Sequence, residues 1–159
     1  MAIDVALLTK DVQDFLQDDP QLNVLLGKRE FSPAMVRLAI RMMVDDFNQV
    51  NFVSGYTEKD FPTSTLNLQV YGTIYHLLNS ATTLQLRNHL PYNDSGLSVA
   101  QFSKSGEYAA VADRFKALFD EKALQVKYDI NVRAGEGNVP SEYSYGSNWA
   151  NIAGYTLDN

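Results

Sequence analysis

Three pairs of adjacent carboxylates, Asp18-Asp19, Asp45-Asp46 and Asp120-Glu121, are the residues best suited by type to proton transfer or metal binding. Their spacing argues against both roles, because helix neighbours diverge by about 100° and do not share one proton or one ion. They read as solvated faces. The two histidines, His76 and His89, have no metal-ligand spacing. His76 reads as a packed or partly exposed helix histidine, and His89 as a cation near a helix C-terminus. Gly135-Glu-Gly137 resembles part of a phosphate loop, but it follows a helix and opens none, so a hinge is the reading. Asn93-Asp94-Ser95-Gly96 offers oxygens without the spacing of a calcium loop, and reads as a turn. With no cysteine there is no disulfide, thiol nucleophile or thiolate zinc site. The expectation is a non-enzyme with no catalytic residue, cofactor or metal.

Composition bounds the alternatives. At 159 residues, 45% hydrophobic and 20% charged, the chain fits one ordinary globular domain. Its net charge of −6 disfavours a tightly held nucleic acid, which needs clustered Lys and Arg. The opening Met1-Ala-Ile-Asp4 lacks a basic signal-peptide start, and no apolar run reaches the ~20 residues of a membrane helix. Synthesis in a cytoplasm and no membrane partner are expected.

The positioning elements are helical. Thr9 is a candidate cap for a short helix carrying Val12, Phe15 and Leu16, and Asp19-Pro20 for a second that ends at Gly27. Ser32-Pro33 opens a helix to about Asn51, with Val36, Ile40, Met43, Phe47 and Val50 on one seam. Arg41 and Asp45 are spaced for a solvated pair. A third helix from near Ser64 carries Leu66, Val70, Ile74, Leu77, Ala81 and Leu84, and Pro91 stops it. After the turn-rich 92–96 stretch, Leu97, Val99 and Phe102 alternate with Ser98, Ala100 and Ser103, a brief extended piece. A fourth helix from Ser105 to Asn131 carries Tyr108, Ala112, Phe115, Phe119, Val126 and Ile130, with Lys122 in the vacant place. The predicted architecture is all-α: a bundle body of three long helices and short N-terminal ones over 1–131, then an arm over 132–159.

That arm differs from the rest. From Gly135 onward it has no Lys or Arg and no apolar period, yet holds four of nine glycines, three of nine tyrosines and the only tryptophan. Aromatics of this density suit docking on another protein better than a solvated tail. Tyr143, Tyr145, Trp149, Ile152 and Tyr155 are the predicted partner-binding anchors, and Gly135 and Gly137 the hinge.

The stretch Tyr71-Gly-Thr-Ile-Tyr-His-Leu-Leu-Asn-Ser80, continued by Leu84-Gln-Leu-Arg-Asn-His-Leu-Pro-Tyr92 and the helix around Tyr108–Val126, resembles structural proteins of tailed-bacteriophage virions. With the Ser-Glu-Tyr-Ser-Tyr arm (Ser141–Tyr145), the closest likeness is to neck components of the head-to-tail adaptor type, also called connector or head-completion proteins. The resemblance implies a homo-oligomeric ring, twelvefold, beneath the portal protein and above a tail-side neck protein. It also implies residence in the virion neck, an arm reaching onto the portal or the adjacent subunit, and DNA passing through without specific binding. An acidic lumen would keep that duplex moving. Two alternatives stay open: a tail terminator or other minor virion protein, which usually has a β-rich core, and a small helical DNA-packaging factor. The latter calls for a basic helix, and Lys28-Arg29, Arg37 and Arg41 are the only modest cluster.

Overall fold

The computed structural model describes residues 3–23, 27–51, 53–62, 65–87, 92–94, 97–99 and 104–135. The fold class is all-α. Its elements are α1 (Val5–Phe15), α2 (Pro33–Gln49), α3 (Leu66–Arg87), β1 (Tyr92–Asp94), β2 (Leu97–Val99) and α4 (Ser105–Gly135). Among the described residues the one departure is a two-stranded antiparallel ladder, with Tyr92 opposite Val99 and Asp94 opposite Leu97. The sequence suggested a turn followed by a lone extended piece. A lone strand leaves its N–H and C=O groups unpaired, and Tyr92–Asp94 supplies the partner.

Helix starts follow local hydrogen bonding. Ser32 Oγ accepts from Met35 N–H at 3.3 Å, with Pro33 at the first helical position, as read from sequence. At the N-terminus the expectation needs correcting. Asp4, not Thr9, caps α1, accepting from Ala6 N–H and Leu7 N–H at 3.1 and 3.0 Å. Thr9 lies inside the helix and donates back to the Val5 carbonyl at 2.6 Å. Asp19-Pro20 starts a turn rather than a second helix: Asp19 Oδ1 accepts from Gln21 N–H at 2.8 Å, and Gly27 adopts φ +59°. Among the described residues one N-terminal helix stands where a pair was expected, and residues 24–26 of the expected second lie outside them.

Two compact units divide the chain, Met1–Ala123 and Leu124–Asn159. In the first, α2 runs along α3 and α1 packs against both. The predicted α2 seam is the core through Val36, Ile40, Met43 and Phe47, all at 0% exposure, whereas the helix ends at Gln49 and Val50 follows it as a half-buried, extended cap. Phe47 is met by Phe61 at 4.9 Å and Tyr56 at 5.8 Å between ring centroids. The 53–61 loop that brings these rings is stapled by Asn48, which donates to the Tyr56 carbonyl and accepts from Tyr56 N–H at 2.8 and 2.9 Å. On α3, Val70, Ile74, Leu77 and Ala81 are buried as predicted, but Leu66 and Leu84 are exposed. The 22 residues of α3 outrun the 17 of α2, so the ends of the seam lack that neighbour.

Gly72 marks the closest approach. A Cβ there would fall inside Met43 Cγ and 2.7 Å from Phe119 Cδ2, so α2 and α4 both press on the bare α3 backbone. Along α4 the buried residues of this unit are Ala112, Phe119 and Ala123, while Phe115 meets Phe15 at 5.9 Å and Tyr71 at 5.7 Å. In the second unit the helix continues past Asn131, its expected end, to Gly135. Val126 and Lys127 are buried there, whereas Leu124, Tyr128 and Val132 are exposed.

Candidate functional site

The two faces of α2 set up the site. Its seam faces the core, and one step around the helix Met35, Leu38 and Met42 line a groove against Tyr75, His76 and Asn79 of α3, with a volume of about 550 Å³. Leu38 is 57% exposed and Met42 44%, so two large apolar side chains line the groove together on the solvent side of α2. Sequence periodicity missed this face because it collects apolar residues for the seam and assigns the remainder to solvent. The run Met42-Met43, apolar on two faces of one helix, was the signal that could have found it.

One end of the groove is polar. His76 Nε2 lies 3.2 Å from Asp46 Oδ2, but out of line for a directed hydrogen bond. Burial pushes the His76 imidazole below its ordinary value, and Asp46 opposes that shift without cancelling it. Lys116 reaches in from α4, 3.0 Å from Asp120 Oδ2 and 5.4 Å from the Tyr75 ring centroid. Its hydrogen bond to Asp120 holds the ammonium above its usual range, against the pull of burial. A half-exposed pair of this kind contributes only about 0.3–0.5 kcal/mol. The cluster orients side chains at the rim; it does not assemble a nucleophile, a base and an oxyanion donor around one point.

The carboxylate doublets divide in the same manner. Asp18 is buried and accepts from Glu30 N–H at 2.6 Å, Phe31 N–H at 2.9 Å and Asn23 Nδ2 at 2.6 Å. It locks the approach to α2, while Asp19 caps its turn in solvent. The expectation that both doublet members face water is therefore corrected for Asp18, since three main- and side-chain donors converge there. Arg41 pairs with Glu58 at 3.3 Å, not with Asp45. A smaller hollow of about 280 Å³ lies among Leu16, Leu78, Lys104, Glu107, Tyr108 and Val111. Nearby, burial and then Asp18 raise the Glu30 carboxyl, with the Tyr108 hydroxyl at 3.4 Å.

Of the residues predicted to bind partners, Tyr143, Tyr145, Trp149, Ile152 and Tyr155 lie outside the described residues, as do His89 and the hinge residue Gly137. Gly135 is the last residue of α4. Among the described residues no group of three or more His, Asp or Glu is placed to hold a metal, and no helix is long and apolar enough to cross a membrane. No protein-family model, curated protein or solved structure matches the chain.

Proposed function

We propose that this chain is an assembly subunit of a tailed-phage virion, a head-to-tail adaptor that forms a ring under the portal, joins head to tail and surrounds the DNA channel. The observation that carries the assembly part is the α2–α3 groove: Leu38 and Met42 stay exposed although the same helix buries its seam completely. Apolar surface retained beside a close-packed core favours a partner that covers it. The neck assignment itself comes from the sequence resemblance. In this reading α2, α3 and α4 make the bundle body, α4 reaching Gly135 rather than the expected Asn131, and the residues after Gly135 form an extended arm whose Tyr143, Tyr145, Trp149, Ile152 and Tyr155 anchor on the portal or on the adjacent copy. The net charge of −6 suits a channel that lets a duplex slide.

Negative-stain images of the purified protein test the reading. Rings with a central hole are expected. Particles that remain single at tens of micromolar would argue against it. A gel shift with duplex DNA that weakens steeply with salt would move the assignment to a packaging factor.

A further inference from the structure

The methionines of α2 differ in access to solvent, and for a thioether access decides reactivity. Met42 is 44% exposed and lines the open α2–α3 groove, whereas Met43 is wholly buried and packs on the α3 backbone at Gly72. Met35, farther along the same groove, is half-buried. Unlike a thiol, the thioether sulfur keeps its lone pairs at every pH, so ionisation plays no part in selecting which methionine reacts. We infer that Met42 is a modification site for hydroperoxides, and that its sulfoxide turns the groove from apolar to polar while the bundle stays folded. The inference concerns the free subunit and does not rest on the phage reading.

The step balances between sulfur and peroxide. The Met42 sulfur attacks the terminal oxygen of the hydroperoxide, and an S–O bond forms as the O–O bond breaks. Sulfur is oxidised and the peroxide reduced. The departing oxygen takes the proton of the transferred hydroxyl and leaves as water or an alcohol. The product is a polar side chain whose new oxygen accepts hydrogen bonds. Asn79 and Ser80 line the same groove and carry donors of the type that meets such an oxygen. At Met43 the same oxygen would enter the junction that Gly72 and Phe119 close, where added volume forces buried neighbours to move. The groove admits the modification and the core resists it.

Hydrogen peroxide on the monomeric fraction of the full chain tests this, with tandem mass spectrometry to tell Met42 from Met43. Met42 should react before Met35 and at least about tenfold faster than Met43, because a buried sulfur waits for the small fraction of molecules that open. In denaturant Met42 and Met43 should react equally fast, which assigns the difference to the fold. The chain oxidised at Met42 alone should elute earlier from a hydrophobic-interaction column. Its melting temperature should stay within about 2 °C of the untreated protein. Met42→Leu should lose both the early oxidation and the column shift. Native Met43 reacting as fast as Met42, or Met35 reacting first, overturns the assignment. A column position that does not change, or a melting temperature that drops by about 5 °C or more, overturns the tolerated change of polarity. Each of these failures leaves the assembly reading standing, since rings are scored separately by imaging.

Discussion

Met42 and Met43 are adjacent in sequence and opposite in fate. Met43 is wholly buried and touches the α3 backbone at Gly72, while Met42 is 44% exposed in a groove that the isolated chain leaves open. The same side chain on the same helix, turned by about 100°, serves cohesion in one case and is available to a partner in the other. The difference teaches that apolarity alone does not assign a residue to the core. What assigns it is whether a neighbouring element arrives to cover it.

The largest effects should fall on the inner side of this comparison. Met43→Ala should cost about 2–5 kcal/mol in denaturant unfolding, through lost burial and the cavity left behind. Met42→Ala should stay within about 0.5 kcal/mol, as surface substitutions usually do. Equal losses at the two positions would mean that the groove is part of the core. Asp18→Ala should cost about 3 kcal/mol, because it strands the N–H groups of Glu30 and Phe31 in a buried turn. A loss near zero would show that water satisfies them equally well.

Gly72→Ala offers a finer test of how tightly α2 and α4 close on α3. Alanine would favour the helix by about 1 kcal/mol in a free position. Here the buried Phe119 ring must move, so a net destabilisation of about 1–2 kcal/mol is expected by thermal melting. A stabilised variant would show that the junction has slack.

The smallest expected effect is a pH slope at the groove rim. The folded-state pKa of His76 is lowered, so the neutral form is favoured by folding. Its contribution is present above the ordinary value of 6.5 and is lost as pH falls through the depressed folded value. Melting temperature should therefore decline below pH 6.5 more steeply in the wild type than in His76→Gln. Indistinguishable slopes would mean that the imidazole is not shielded from water. Glu30 has the opposite sign: its raised carboxyl lends stability that is fully present below the ordinary value of 4.5 and is lost as pH rises through the folded value, so the two groups are told apart by the direction of the slope.

Where a signal was local, the chain stated it openly. Ser32-Pro33 opens α2 because cap and proline act within one turn, and the Val36–Phe47 seam is buried because a helix period needs no knowledge of the partner. Even the local errors have local causes. Thr9 and Asp4 are both acceptable caps by type, and the apolar Leu8 in the first turns moves the helix start back to Val5. The 92–99 hairpin was half legible, since the strand Leu97–Val99 alternates but its partner Tyr92–Asp94 has turn composition.

The amino-acid order by itself determined the all-α class, the three long helices and their inward seams, since propensity, capping and 3.6-residue periodicity act over a few residues. It also determined the acidic charge and the aromatic composition of the last 25 residues. Only the tertiary structure decided that Asp18 is buried, that Arg41 pairs with Glu58, that Gly72 is a three-helix junction and that Met42 lines an open groove. Each depends on which distant segment arrives beside it. Adjacency across tens of residues is set by packing the whole unit, and local pattern carries no record of it.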